Sequence, residues 1–139
     1  MKRKIHLLVY LALAASLLAA CALRPSEREM NYLASALTKV SAAVDATVRF
    51  RPPPTAASEA EMLQASTSHD PGLLKPFADY TLRVQRSGRA SVVLVCDRAA
   101  KTALLEDAGC TAKLDEHRWS EATAQRCEFT LDLSTVCGR

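Results

Sequence analysis

The chain has few glycines and few histidines, four and three among 139 residues, and both shortages restrict the chemistry it can carry. A phosphate-binding loop needs closely spaced glycines, so a nucleotide site of that kind is not expected. The sequence also lacks Gly-x-Ser-x-Gly and His-Glu-x-x-His, the patterns of many serine hydrolases and zinc proteases. The common sequence signatures of an enzyme are therefore missing.

The first 21 residues have the layout of a secretory signal peptide. A basic start, Lys2-Arg3-Lys4, is followed by an apolar run from Leu7 to Leu18. This run is shorter than the ~20 residues that a membrane-spanning helix needs. Small residues then stand directly before Cys21. The pattern predicts export from the cytoplasm.

The tetrad Leu18-Ala19-Ala20-Cys21 resembles the lipobox of bacterial lipoproteins, and the resemblance covers residues 1–21 only. It implies that residues 1–20 are cleaved, that the Cys21 thiol is acylated, and that residues 21–25 form a lipidated tether. No cofactor besides this covalent lipid is expected. Ala22 stands where an Asp favours inner-membrane retention in enterobacteria, so the resemblance implies the outer membrane, with the domain facing the periplasm. The alternatives are an ordinary secretory signal cut near Cys21 and an uncleaved anchor.

The exported part of the chain is electrically balanced. Cleavage before Cys21 leaves 119 residues, enough for one small domain. Three basic residues and no acidic ones leave with the leader, so 15 basic residues remain against 15 acidic ones. Without a basic block, the mature chain has no electrostatic basis for binding nucleic acid or for a polybasic contact with lipid. The lipid is therefore expected to supply the membrane anchoring.

Four further cysteines lie in the mature chain: Cys96, Cys110, Cys127 and Cys137. An even number in a short exported chain predicts two disulfides. Three pairings are open, and we favour Cys96 with Cys110 and Cys127 with Cys137, because each pair flanks a compact local segment. A four-cysteine zinc site is the alternative. No metal is expected, since the close Cys-x-x-Cys pairs of such sites are absent.

A long amphipathic helix is predicted over residues 26–51. Ser26 and Glu29 form a capping box at its start, and Pro52-Pro53-Pro54 prevents its continuation. Apolar residues recur at spacings of three and four, at Met30, Leu33, Leu37, Val40, Val44 and Val48. The default interpretation is that this stripe packs against the chain's own core. The alternative is a partner-binding surface near the membrane, formed by Leu33, Leu37, Val40 and Val44.

Beyond the helix, residues 52–57 are predicted to be a proline-rich linker and residues 58–139 a disulfide-braced α+β domain. Ser58 and Glu61 form a second capping box, which predicts a short helix to about Ala65. Asp70-Pro71 is a further helix start.

Alternating residues indicate the sheet. Tyr80, Leu82 and Val84 alternate with polar residues, which predicts a half-buried strand, and the apolar run 92–96 predicts its hairpin partner after a turn at 86–89. We expect a helix over 98–108, capped by Asp97 and ended by Gly109, and a third strand over 127–133. The predicted fold class is α+β, with a small antiparallel sheet of about three strands covered by helices.

The catalytic inventory is small. His69 lies in a polar loop, where a solvated histidine is the default. His117 lies beside Trp119 in Asp115-Glu116-His117-Arg118-Trp119, which could hold a general acid–base group but is more typical of a charged surface beside one buried aromatic. The acidic pairs Glu59/Glu61 and Glu106/Asp107 are interpreted as solvated helix surface.

The sequence therefore favours a non-catalytic, lipid-anchored envelope lipoprotein. Its periplasmic domain is expected to bind another envelope component, as a structural, assembly or secretion accessory. An enzyme is not expected. The alternative is a small periplasmic hydrolase or ligand-binding lipoprotein with a groove near His117 and Trp119.

Overall fold

The computed structural model describes residues 25–111 and 125–138, and these form an α+β fold. The leader, Cys21, His117 and Trp119 lie outside the described residues. The elements in chain order are helix α1 (Glu27–Phe50), helix α2 (Glu59–Ser66), a 3-10 helix (Pro71–Phe77), strands β1 (Thr81–Ser87), β2 (Ala90–Cys96), β3 (Thr102–Ala108) and β4 (Gln125–Arg126), and helix α3 (Leu133–Val136).

The strands form one antiparallel sheet in the order β1-β2-β3-β4, so the predicted fold class is confirmed with four strands instead of about three. The predicted hairpin is also confirmed: Val84 pairs with Val93, and Gly88 adopts a φ of 59° in the turn. That backbone conformation suits glycine, which has no Cβ to clash. On the other side of β2, Val93 pairs with Asp107 of β3.

Helix α1 begins and ends where the capping signals predict. The Ser26 hydroxyl accepts a hydrogen bond from the Glu29 amide at 3.2 Å, and the helix stops at Phe50 before the prolines. Its apolar stripe packs mainly on β2 and shares one core with α2, the 3-10 helix and one face of the sheet. Residues 26–51 and the sheet therefore fold around a common core.

This packing corrects the partner-binding interpretation of the helix stripe. Leu33 is 1% exposed, and the other three predicted contact residues, Leu37, Val40 and Val44, have no exposed surface. A surface patch must be accessible to a partner, so these four side chains are core residues. Burial of an apolar side chain of this size contributes about 1.5–3 kcal/mol each, which makes α1 a main source of stability.

The expected helix over 98–108 is wrong, because most of this segment is strand β3. Asp97 caps a turn instead of a helix: its Oδ1 accepts hydrogen bonds from the amides of Lys101 (2.7 Å) and Thr102 (3.1 Å). Pairing along β2 then outweighs the high helix propensity of Ala, Leu and Glu. Gly109 is no helix stop; a Cβ there would lie 2.5 Å from Asp45 Cβ of α1. Glycine is needed for that close approach.

The expected third strand over 127–133 is also wrong. Strand β4 comprises only Gln125 and Arg126, and the chain then crosses the sheet face opposite α1 before forming α3. We call residues 125–138 the C-terminal strap. Its Phe129, Leu131 and Leu133 pack against Leu94, Cys96, Val92 and Ala108 of the sheet. The alternating apolar residues of this segment therefore pack on a face of the sheet, but their backbone does not pair with a strand.

Candidate arginine-lined groove

Two disulfides attach the strap to the sheet, Cys96 to Cys127 and Cys110 to Cys137, each with a Cα–Cα distance of 5.7 Å. The presence of two disulfides is as predicted, but the favoured pairing is wrong. That pairing assumed a helix between Cys96 and Cys110. Because β3 occupies the segment instead, these two cysteines lie near opposite ends of the sheet. In the chain-entropy model each bridge contributes about 3.5 kcal/mol.

A buried carboxylate holds the middle of the strap. Glu106 of β3 has no exposed surface, and its side chain accepts hydrogen bonds from the amides of Thr130 (3.0 Å) and Leu131 (3.2 Å) and from the Thr130 hydroxyl (2.9 Å). A buried charge needs such donors to replace water. Glu106 and its neighbour Asp107 are thus not a solvated helix pair; they lie on opposite faces of a strand.

Arg83 of β1 secures the start of the strap. Its Nη1 donates to the Cys127 carbonyl at 3.2 Å, and its guanidinium carbon lies 5.2 Å from the centre of the Phe129 ring. Its Nη2 lies 3.0 Å from Glu59 Oε1 of α2. The other Glu59 oxygen accepts a hydrogen bond from the Val84 amide at 3.1 Å, which covers part of the exposed edge of β1.

A groove of about 430 Å³ opens at the end of the sheet where the C-terminus of α1, the β1–β2 turn and the end of the strap meet. Its lining combines two arginines with small and apolar groups: Arg49, Ser87, Arg89, Ala90, Leu133, Ser134, Cys137 and Gly138. Within residues 25–111 and 125–138, no carboxylate and no histidine belong to this lining. We call it the arginine groove.

The two arginines of the groove differ in how they are held. Arg49 Nε lies 2.7 Å from Asp45 Oδ2, one turn earlier on α1, so its guanidinium is fixed by a salt bridge. Arg89 follows Gly88 in the turn and is exposed. Among the residues that the structure describes, Arg89 makes no hydrogen bond or salt bridge. Its charge is therefore available to a ligand.

Further basic groups lie at the same end of the fold. Arg86 donates to the carbonyls of Pro53 (2.8 Å) and Pro54 (3.0 Å), which fastens the proline segment to β1. Arg51 Nη1 lies 3.3 Å from His69 Nε2, so His69 is a surface residue beside a cation. Phe50, at the C-terminus of α1, is 76% exposed.

A second cavity of about 380 Å³ lies between α1 and the 3-10 helix. Tyr32, Lys39, Lys75 and Asp70 contribute to its lining. Asp70 Oδ1 already accepts a hydrogen bond from the Gly72 amide at 3.0 Å. Because this lining carries both signs of charge, it selects no particular class of ligand.

One buried titratable group lies away from both cavities. Asp107 faces α1 and is 3% exposed. Burial raises its pKa to about 6, and the nearby Ser41 hydroxyl, which donates to the Asp107 backbone carbonyl at 3.4 Å, offsets part of that effect. Its Oδ1 has no hydrogen-bond partner in residues 25–111 and 125–138. Because solvent and substrate cannot reach it, Asp107 is a structural group.

The arginine groove was not predicted from the sequence. Arg49 is one basic residue after an apolar stripe, and Arg89 is one residue of a turn, a common place for a solvated cation. The register of the hairpin and the course of the strap bring these two arginines together. Neither the register nor the course can be predicted from a local sequence pattern. The sequence-predicted cluster around His117 and Trp119 lies outside the described residues, as does Cys21.

Comparison of the chain with protein-family models, with curated proteins and with solved structures finds no match. Within the described ranges, no helix is both long and apolar enough to cross a membrane. The same ranges contain no group of three or more His, Cys, Asp or Glu side chains placed to hold a metal ion.

Proposed function

We propose that this chain is a lipid-anchored lipoprotein of the bacterial envelope whose folded domain binds another envelope component without catalysing a reaction. The observation that carries the proposal is the Leu18-Ala19-Ala20-Cys21 tetrad, which stands at the end of an apolar leader. Acylation of Cys21 would attach the domain to a membrane leaflet, in this proposal the periplasmic face of the outer membrane.

The two disulfides support export. Paired cysteines persist in oxidising compartments such as the bacterial periplasm and are rare in the cytosol. Here they fasten a 14-residue strap to both ends of a small sheet. A domain of this size has a small core, so the bridges add a stabilisation that it needs after leaving the cytoplasm.

The arrangement of the fold supports a binding role at the end of the sheet. Helix α1 covers one face of the sheet, and on the other face the strap covers β2 and β3, whose apolar side chains are therefore not open to a partner. The arginine groove remains open. Its lining offers two guanidinium groups and two hydroxyls, of which Ser134 already donates to Asp132 at 2.7 Å. Guanidinium groups bind anions and stay protonated at neutral pH, so they do not act as general bases.

Metabolic labelling with an alkyne-bearing fatty acid tests the proposal. The full chain is expressed in a bacterium with an outer membrane, and the wild type is compared with Cys21→Ser. We expect the wild type to be labelled, shortened by 20 residues and found in the membrane fraction, and Cys21→Ser to be unlabelled. Finding the wild type unlabelled with its leader attached, or unlabelled and free in the periplasm, would overturn the proposal.

A further inference from the structure

We infer that the arginine groove is the docking site for an acidic peptide segment of a partner protein. The inference rests on the proposed function and specifies the chemistry of the partner. The charge of the groove, its rigidity and its position relative to the lipid tether support such an occupant.

The charge of the groove is complementary to carboxylates. Arg49 and Arg89 both line it, and among the described residues no acidic side chain does. Among the described residues, Arg49 is paired through its Nε alone, with Asp45, which leaves the terminal nitrogens of that guanidinium for a ligand. A guanidinium presents a planar fork of donors that matches the two oxygens of a carboxylate. Two such forks suit a segment with two acidic side chains, or an acidic side chain beside a terminal carboxylate.

The groove also offers apolar contacts, which free inorganic anions do not need. Ala90 and Leu133 belong to its lining together with Cys137 of the second disulfide. Phe50, the neighbour of Arg49, adds an exposed aromatic ring at the same end of α1. A volume of about 430 Å³ is within the range of ligand pockets. The mixture of cationic and apolar groups favours a peptide with both acidic and apolar side chains.

The elements around the groove are fixed before a ligand arrives. The Cys110–Cys137 bridge holds the end of the strap, and Arg86 ties the β1–β2 hairpin to the carbonyls of Pro53 and Pro54. A preformed site loses less conformational entropy on binding than a mobile one. This favours a specific ligand over general attraction between charges.

The position of the groove argues against the anchoring leaflet as its occupant. The tether joins the domain at the N-terminus of α1, at Glu27, and Arg49 lies near the other end of this 24-residue helix. At 1.5 Å per residue the helix is about 36 Å long. The groove therefore lies at the end of the domain that the tether does not attach to the lipid headgroups, where a partner protein in the periplasm can reach it.

Peptide binding to the purified, oxidised mature protein tests the inference. The probes are fluorescein-labelled hexapeptides in which two leucines are combined with four, two or no glutamates, glutamine replacing the rest. Fluorescence anisotropy at low salt measures the affinity. We expect the affinity to rise with the number of glutamates, and Arg89→Glu to weaken the binding of the four-glutamate peptide at least tenfold.

Arg98→Glu is the control, because Arg98 is an exposed arginine at the opposite end of the sheet, 82% accessible and held, among the described residues, only by a 3.7 Å ion pair with exposed Asp79. It should leave the affinity unchanged. Arg89 is an exposed turn residue, so its replacement should not affect folding, and circular dichroism checks this. Equal weakening by both variants, or equal affinity for the glutamate and glutamine peptides, would overturn the inference.

Phosphatidylglycerol vesicles and inorganic phosphate are measured in parallel. If Arg89→Glu abolished vesicle binding or phosphate binding while no acidic peptide bound the wild type, the occupant would be a lipid headgroup or a free anion, and the inference would be wrong. These measurements do not require the lipid on Cys21. Failure of acylation in cells overturns the proposed function. Failure of the purified protein to bind the peptides, when the chain is acylated in cells, overturns this inference alone.

Discussion

Replacing Asp107 by Asn should change how the stability of the protein depends on pH. Asp107 is 3% exposed between β3 and α1, and its Oδ1 has no partner among the described residues. Burial disfavours the ionised carboxylate, and this raises the pKa to about 6 in the folded protein from an ordinary value of 3.8. Asn has nearly the same shape and does not titrate.

The sign of the effect follows from the raised pKa. Between pH 3.8 and about pH 6 the folded protein binds a proton at Asp107 that the unfolded chain does not, so the folded state gains stability as the pH falls. The whole difference corresponds to about 3 kcal/mol, since one pKa unit is about 1.4 kcal/mol. By the linkage relation, about 2 kcal/mol of this difference in stability appears between pH 7.5 and pH 4.5.

Urea unfolding with the disulfides intact measures the effect. On going from pH 7.5 to pH 4.5, we expect the free energy of unfolding of the wild type to rise by about 2 kcal/mol relative to that of Asp107→Asn. This change is expected whatever the difference in stability between the two proteins at neutral pH. Asp79→Asn is the control, because the Asp79 side chain is 78% exposed. A difference between wild type and Asp107→Asn that is constant with pH, or that moves in the opposite direction, would refute the reasoning.

Two further substitutions test how the sheet is covered. Glu106→Gln removes the charged group that accepts hydrogen bonds from the strap and should lower the free energy of unfolding by about 1.5–3 kcal/mol. Amide hydrogen exchange should be faster at Thr130 than in the wild type and unchanged in β2. Unchanged exchange at Thr130 would show that Glu106 does not hold the strap. Leu37→Asp places an unpaired charge in the core and should abolish folding by circular dichroism, whereas Thr38→Asp, on the exposed side of α1, should change the free energy of unfolding by less than about 0.5 kcal/mol. A folded Leu37→Asp variant would restore the surface interpretation of the stripe.

The elements with local signals were the ones that could be predicted. Helix α1 has a cap, a stripe and a proline stop, and helix α2 has its own capping box; both lie where expected. The hairpin of β1 and β2 combines alternation with a glycine turn. In each case the deciding interactions lie within a few residues of one another, so a single sequence contains them.

The segments decided by distant contacts were predicted wrongly. Strand β3 contains Ala, Leu and Glu, which favour a helix, but its backbone pairs with β2 and its Glu106 carboxylate binds residues 24 and 25 positions away. The disulfide pairing depended on that element and failed with it. The arginine groove could not be predicted for the same reason, since it joins residues from α1, a turn and the strap.

Mass spectrometry of the protein extracted from membranes, digested without reduction, tests the central claim most directly. Trypsin leaves Cys127 and Cys137 on one peptide, because no Lys or Arg separates them, so chymotryptic cleavage after Phe129 is added. We predict an N-terminal peptide that begins at an acylated Cys21, with Cys96 linked to Cys127 and Cys110 to Cys137. An unmodified Cys21 still joined to residues 1–20, together with free thiols at the other four cysteines, would contradict the account.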